Sequence, residues 1–382
     1  MTDFSLIIPT FNESKNISIL IPKLISLFEK NNIKFEIIVV DDDSPDGTWR
    51  VAKELSIRDE RIHVIRRANK KGLSSAVIDG MELAKGNALG VIDADMQHDE
   101  SILPKMLIAL KENDLVVGSR VVEEGGYGEW GFVRRMMSKA ATLLARILLP
   151  IPIGDPMSGF FILKRELFEE IAPLINPRGF KILLEFLGRK KGIRAKEIGY
   201  VFRTRIHGET KMSSSIIQNY IVALYDIRFG KYISLTFVKY SITGVIGIFV
   251  NLFGQFFATE VLNLKETGII YQSYFKPSIA VVFGFELSVL SNYILNNIWT
   301  FNEFKKTGAL DNIFGFIKFN LISVIGLIIQ LSVWRLSLEI IQMYFPNMFG
   351  SFSTYISNLL GIFLATFGNY FLNKNFTWRY SE

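Results

Sequence analysis

Hydrophobic positions along this chain change their rhythm at about residue 230. Before that point, short apolar runs alternate with stretches in which apolar residues recur every three or four positions. The runs at 4–8, 35–40, 62–65 and 88–92 read as strands, and Pro9, Asp41, Arg66 and Asp93 follow them. The stretches at 14–30, 49–56 and 74–84 read as helices, the first with Leu20, Leu24 and Leu27 on one face. Uninterrupted apolar strands separated by helices predict an α/β domain around a parallel sheet. In such sheets ligands collect beyond the carboxyl ends of the strands. Pro9, the Asp41–Asp43 cluster, and Asp93 with Asp95 all fall at those ends.

Four long apolar runs follow, at 237–259, 277–300, 314–338 and 352–373, each near the roughly 20 residues that cross a bilayer's hydrocarbon. They repeat in pairs. Phe237-Val-Lys-Tyr-Ser-Ile-Thr-Gly-Val-Ile-Gly247 parallels Phe316-Ile-Lys-Phe-Asn-Leu-Ile-Ser-Val-Ile-Gly326, and Asn292-Tyr-Ile-Leu-Asn parallels Asn369-Tyr-Phe-Leu-Asn. The shared Lys and Asn positions predict two copies of one helical hairpin, an all-α transmembrane domain of four helices. The chain thus divides into a soluble domain over 1–212, a linker over 213–235 and a membrane domain over 236–382. In the linker region, Ile216, Ile217, Tyr220, Ile221 and Leu224 recur at helical spacing. That stretch reads either as an amphipathic helix on the membrane surface or as a helix packed on the soluble core. Lys305, Lys306 and Lys318 flank the middle connection, Lys374 and Arg379 follow the last run, and the third-to-fourth connection has neither Lys nor Arg. The positive-inside rule then places the soluble domain and the C-terminus in the cytoplasm of a multi-pass protein.

Composition adds limits. The net charge of +6 is modest, and no basic stripe or nucleic-acid motif accompanies it, so no nucleic-acid partner is expected. The charge suits an anionic membrane face. Cysteine is absent from the 382 residues, which excludes disulfides and thiolate metal sites. The first residues lack a basic segment followed by a long apolar one, so no signal peptide is expected. Neither a Gly-x-Gly-x-x-Gly fingerprint nor a Gly-Lys-Ser/Thr phosphate loop occurs, which argues against a dehydrogenase or an ATPase.

Asp93 and Asp95 at a strand end, with Gln97 two positions on, offer oxygen ligands for a divalent cation that bridges phosphate oxygens. An isolated Asp-x-Asp also reads as a solvated turn. Acids in Pro9–Glu13 and Asp41–Thr48 could accept hydrogen bonds from base N–H groups or ribose hydroxyls, but Asp, Ser, Pro and Gly are also ordinary turn formers. His63, His98 and His207 are too dispersed for a metal cluster. Glu185 reads as a sugar-orienting group or as a solvent-facing helix residue. Glu286 lies inside an apolar run, where an acid is a functional candidate.

The segments Ile-Ile-Pro-Thr-Phe-Asn-Glu13, Val-Val-Asp-Asp-Asp-Ser-Pro-Asp-Gly-Thr48, Lys71-Gly-Leu-Ser-Ser-Ala76 and Asp93-Ala-Asp-Met-Gln-His-Asp99 resemble glycosyltransferase family 2 with its α/β GT-A (Rossmann-like) fold. Val117-Gly-Ser-Arg120, Asp155-Pro-Met-Ser-Gly-Phe-Phe161 and Arg203-Thr-Arg-Ile-His-Gly-Glu-Thr-Lys211 extend the likeness in order, toward the dolichol-phosphate mannose synthase branch. The membrane half resembles the GtrA-like domain. The resemblance implies transfer of mannose from GDP-mannose to dolichyl or another polyprenyl phosphate. It places Pro9, Phe11, Glu13, Val40, Asp42 and Ala94 around the donor, with Phe11 where the family often has tyrosine. Asp93, Asp95 and Gln97 would hold Mg²⁺ or Mn²⁺, and Arg205 and Lys211 would clamp the diphosphate. Arg120 and Arg134 would bind the acceptor phosphate, with Arg135 adjacent to the second. Two other readings share this architecture: a transferase using UDP-glucose, and lipid-linked sugar translocation. The Gln-x-x-Arg-Trp motif of processive polysaccharide synthases is absent.

Overall fold

The computed structural model describes residues 2–68, 72–175, 181–204, 214–264, 279–345 and 353–379. The chain forms two units, residues 1–231 and 232–382.

In the first unit, β1 (Phe4–Thr10), β2 (Phe35–Asp41), β3 (Ile62–Arg66) and β4 (Ala88–Val91) run parallel, as their apolar runs predict. β1 continues past Pro9 to Thr10. Its pairing with β4 ends at Ile7, so the N–H that proline lacks faces no ladder partner on that side. The full sheet, among the described residues, has seven strands in the order β3-β2-β1-β4-β6-β5-β7. It is not wholly parallel. The short strand β6 (Phe161–Lys164) runs antiparallel between β4 and β5 (Leu115–Ser119), and β7 (Ala195–Gly199) is parallel to β5. The loop over 150–160, with three prolines and two glycines, turns the chain back into the sheet.

Alternation along β1 sends Phe4, Leu6 and Ile8 to one core and Ile7 to the other. The first core packs under α1 (Ser14–Lys30), α2 (Thr48–Arg58) and α4 (Leu103–Leu110). The second lies under α3 (Leu73–Leu83), α6 (Arg165–Ile171) and α7 (Ile182–Arg189). Gly90 has no room for a side chain, because a Cβ there would stand 2.7 Å from the Phe4 ring and 2.8 Å from Ile162 Cγ2. The amphipathic helix α5 (Phe132–Leu148) and α8 (Ser214–Phe229) pack together, with Tyr220 and Leu224 buried beside Ala145, Leu149 and Leu184. Part of the linker stretch is therefore a helix seated on the first unit.

The second unit pairs α9 (Leu235–Phe256) with α10 (Ile279–Leu295), and α11 (Ala309–Tyr344) with α12 (Ser353–Leu372). With their terminal turns, these four helices are long and apolar enough to cross a membrane. α11 runs beyond the expected 314–338 at both ends. Its last turns carry an Arg335–Glu339 pair at 3.1 Å, four residues apart, which supports helix where apolarity fades. The repeat is visible in the ends of α10 and α12. Each finishes in a wide turn, with Phe301 N donating to Asn296 O at 2.8 Å and Trp378 N to Asn373 O at 3.0 Å. The rings of Phe301 and Trp378 stack at 4.5 Å. Glu286 accepts a hydrogen bond from Asn320 Nδ2 at 2.7 Å.

Gly90→Val should force Phe4 and Ile162 apart. Overpacking of this kind costs about 2–3 kcal/mol, which lowers the unfolding midpoint of a domain this size by about 5–10 °C. Thermal unfolding followed by circular dichroism reads this directly. An unchanged midpoint would show that the sheet has slack at β4.

Candidate active site

The carboxyl ends of β1, β2 and β4 open onto a cavity of about 240 Å³ lined by Pro9, Phe11, Glu13, Asp42, Asp93 and Asp95, among others. The walls hold their shape through buried hydrogen bonds. Asp41, fully buried, accepts from Thr10 Oγ1 at 3.0 Å and from the Ser44 backbone N–H at 2.9 Å. Asp42 accepts from Arg67 Nε at 2.7 Å and from the Gly72 N–H at 2.8 Å. Arg67 is itself buried and reaches Ser75 and Asp79, tying the ends of β2 and β3 to α3. Asn16 Nδ2 donates to Glu13 Oε2 at 2.5 Å. Phe11, half exposed, offers its ring at the rim.

Asp93 and Asp95 leave β4 side by side and face the same cavity. Met96 follows with a φ of +64°, which swings the loop back so that the Gln97 N–H donates to Asp95 Oδ1 at 3.1 Å. His98 is buried behind Asp93. Its Nε2 lies 3.2 Å from Asp93 Oδ2 and its Nδ1 lies 2.6 Å from the Tyr200 hydroxyl. A neutral ring with its proton on Nε2 donates to Asp93 and accepts from Tyr200. Burial, with the charges of Asp155 and Asp93 against that of Arg120, raises the Tyr200 hydroxyl far above its ordinary range and keeps it a donor. Burial also pushes the Asp93 carboxyl upward. The His98 hydrogen bond and the charges of Lys181 and Arg120 outweigh that push and hold it below the usual carboxylate range. Gly159, just before β6, leaves the room: a Cβ there would stand 2.8 Å from Asp93 Cγ.

A second cavity, of about 410 Å³, lies between α5 and α8. Its walls are mostly apolar, from Met137, Ala141, Leu144 and Ile217, while Arg120, Arg134 and Lys181 supply positive charge. Arg120 is buried and fixed by a two-pronged pair with Asp155, at 2.7 Å from Nε and 2.6 Å from Nη2. Burial works against its charge, but the bond and charge of Asp155 raise its pKa further. Arg134 lies 3.8 Å over the Trp130 ring. Trp130 Nε1 is buried with no hydrogen-bond partner. Burial lowers the Lys181 ammonium pKa; Asp93 opposes that shift and Arg120 adds to it. The loop before β6 touches both cavities: Asp155 holds Arg120 of one, and Gly159 lies against Asp93 of the other.

Most expected donor residues meet at the first cavity, where Ala94 also contributes to the wall. Val40 does not line it; its side chain is fully buried in the core beneath α3. Gln97 uses its amide nitrogen, the end that cannot ligate a metal, to donate to Arg203 O at 3.0 Å. Arg203 pairs with Asp99 at 2.7 Å and Glu100 at 2.9 Å. Arg205 and Lys211 lie outside the described residues. Of the adjacent arginines, Arg134 lines the second cavity, while Arg135 donates to Gly128 O at 3.3 Å. Glu185 faces neither a sugar site nor solvent. It is buried and pairs with Arg189 at 2.8 Å, and Arg189 pairs with Asp226 at 2.6 Å, joining α7 to α8.

Sequence reasoning missed Lys181, Trp130 and the roles of His98 and Gly159. Gly159 was within reach, since it sits in the quoted Asp155–Phe161 segment; Lys181 precedes an apolar helix and carries no local signal. Gly159→Ala should displace the Asp93 carboxylate. The expected result is Mn²⁺ affinity at least about tenfold weaker, as outer-shell changes commonly produce, with little change in melting. Calorimetric titration of the full-length protein checks it, and unchanged affinity would contradict the geometry.

Residues 5–172 match glycosyl transferase family 2, and residues 239–378 match the GtrA/DPMS transmembrane domain. The chain is 37% identical over 377 residues to a dolichol-phosphate mannosyltransferase of Pyrococcus furiosus, covering 98% of this chain and 99% of that one. It is 34% identical over 250 residues to a dolichol-phosphate mannosyltransferase of Saccharomyces cerevisiae, covering 62% and 92%. Among solved structures, glucosyl-3-phosphoglycerate synthase from Mycobacterium tuberculosis, in complex with Mn²⁺, UDP-glucose and phosphoglyceric acid, is 19% identical, with a TM-score of 0.46 over 59% of this chain and 79% of that one. With both domains matched and one relative aligned almost end to end, the chain, which joins a glycosyl transferase family 2 domain to a GtrA/DPMS transmembrane domain, belongs to the dolichol-phosphate mannosyltransferase family.

Proposed function

We propose that this glycosyltransferase moves mannose from GDP-mannose to the phosphate of dolichyl or another polyprenyl phosphate, with inversion at the anomeric carbon. The observation that carries the reading is a pair of unlike cavities linked by the loop before β6, in which Asp155 holds Arg120 of one and Gly159 lies against Asp93 of the other. One is polar and acid-lined, suited to a nucleotide sugar. The other is apolar and ends in cations, suited to a prenyl chain with a phosphate head. The names of the two curated relatives point the same way.

In this reading Glu13 and Asp42 face the nucleoside, and the Phe11 ring stacks where a tyrosine would add a hydroxyl. The residues present suit a hard divalent cation: two carboxylates share one wall, and Gly159 leaves space beside them. Among the described residues no group of three or more His, Cys, Asp or Glu forms a closed cage. Asp93 and Asp95 would hold Mg²⁺ or Mn²⁺ and leave other positions to diphosphate oxygens and water. When bound, the ion neutralises charge developing on the leaving diphosphate. Arg205 and Lys211 are proposed to add positive charge there.

Arg120, Arg134 and Lys181 hold the acceptor phosphate at the end of the second cavity. A phosphate monoester is already anionic near neutral pH, so attack on the anomeric carbon needs no strong general base; positioning and charge stabilisation do most of the work. Large apolar side chains on α5 and α8, including Phe132, Val133, Ile147 and Ile221, are exposed and suit a bilayer surface. The loop charges support a cytoplasmic face for the transferase unit and the C-terminus.

Purified protein with dolichyl phosphate and labelled donors tests this. Label should enter the lipid phase from GDP-mannose in the presence of Mg²⁺ or Mn²⁺, and chelation should stop it. Transfer from UDP-glucose alone would replace the donor, and transfer from neither would overturn the reading. Asp95→Ala should lower transfer by about 10³-fold or more while the protein stays folded in the membrane, because the charge it would direct to the leaving group is lost. Arg134→Ala should raise KM for the lipid phosphate about tenfold or more, the scale of one charge-assisted hydrogen bond, with KM for the nucleotide sugar little changed.

A further inference from the structure

Glu197 of β7 lines neither cavity of the transferase unit, yet both of its carboxylate oxygens are engaged. Alternation along β7 turns Ile198 into the first core and Glu197 to the other face of the sheet. There Glu197 lies in register with Val117 of β5, which in turn pairs with Phe161 of β6. It meets the loop that leads into β6. Glu197 Oε2 accepts from the Gly154 N–H at 2.7 Å, and Oε1 accepts from the Asp155 N–H at 3.0 Å. Gly154 makes this approach possible. A Cβ there would stand 2.7 Å from Val121 Cγ2 and 3.3 Å from both Glu197 oxygens.

Asp155 is the residue that carries Arg120. Its carboxylate accepts from Arg120 Nε and Nη2, and its Oδ2 also accepts from the Arg120 backbone N–H at 3.2 Å. A carboxylate on an edge strand is ordinarily solvated. This one gives its two oxygens to two successive backbone N–H groups, in bonds strengthened by its charge, and the second of those groups belongs to Asp155. Arg146 of α5 holds the residue before them, donating to Ile153 O at 3.0 Å. The far end of the loop has an anchor of its own. Ser158 Oγ donates to Gly118 O at 2.7 Å, one residue before the glycine that lies against Asp93. The loop is thus pinned separately on its Arg120 side and on its Asp93 side.

We propose that Glu197 is a positioning residue for the acceptor site: it fixes the Asp155 backbone, and through it the Arg120 guanidinium, without touching either ligand. The inference rests on the proposed role of Arg120 in holding the acceptor phosphate. Without Glu197, Asp155 is free to shift and Arg120 loses its fixed aim, so a lipid phosphate is held less tightly. Ser158 keeps Gly159 in place, so the metal and nucleotide side is left as it was.

The test uses full-length protein in nanodiscs. Binding of decyl phosphate and of Mn²⁺ is measured by calorimetry, and KM for dolichyl phosphate and for GDP-mannose is taken from steady-state transfer. Glu197→Ala should weaken decyl phosphate binding and raise KM for dolichyl phosphate, each by about tenfold, the scale of a lost hydrogen bond to a charged group. Mn²⁺ affinity and KM for GDP-mannose should stay within about twofold of the parent. Glu197→Gln keeps the shape and one acceptor oxygen, so it should shift the same two quantities by less, and it serves should the alanine variant fold poorly. In an Asp155→Asn background, Glu197→Ala should add less than about twofold, because residues that act through one another are not additive. The proposal is overturned if both Glu197 variants bind decyl phosphate like the parent, or if Mn²⁺ and GDP-mannose binding fall as much as phosphate binding does. It is equally overturned if the full loss persists in the Asp155→Asn background. A parent that binds no decyl phosphate overturns the acceptor site itself and this role with it, so failure of the underlying reading shows in the parent and failure of the inference in the variants.

Discussion

The Asp93 carboxylate is fixed where the loop after β4 meets the loop before β6. Much of the transferase unit around it serves to hold it there. The carboxylate is placed by the end of β4, given room by Gly159, and held by a His98 ring that is itself fixed by the Tyr200 hydroxyl. Arg120 and Lys181 add positive charge from the opposite side. The reversed strand β6 makes this possible. Its antiparallel register sets Phe161 beside Val91, so the loop before it, with Gly159, meets the residues that follow β4. A wholly parallel sheet would bring a strand from the far side and leave that loop elsewhere.

The same carboxylate separates two chemical environments. Toward β1 and β2 the wall is polar and braced by Asp41, Asp42 and Arg67. Toward α5 and α8 it is apolar, apart from the cations at its end. In the proposed reaction, positive charge there would answer the anion of an incoming phosphate. The carboxylates on the other side would hold the ion that shields the diphosphate. Locking Arg120 onto Asp155 removes its conformational freedom before any ligand arrives, so less entropy is lost on binding.

What was legible in the sequence follows from how local the signal is. An apolar run that ends in Asp93-Ala-Asp marks a strand and its ligand end at once, and β1 to β4 were readable for that reason. β6 was not, because four residues after a Pro- and Gly-rich loop show no period long enough to count. Glu185 shows the limit from the other side. Its Arg189 partner is four residues away, but Asp226, which completes the chain of charges, is supplied by another helix. The repeated hairpins were visible because Lys and Asn recur in register within apolar sequence.

The proposed transfer is a single displacement in which a phosphate held by Arg120, Arg134 and Lys181 attacks the sugar directly. The most direct measurement is the anomeric configuration of the glycolipid product, read from its one-bond carbon–hydrogen coupling by NMR after turnover with an α-linked nucleotide sugar. A β-linked glycosyl phosphate is the expected product. An α-linked product would contradict it, since retention requires either a covalent intermediate or attack from the leaving-group face.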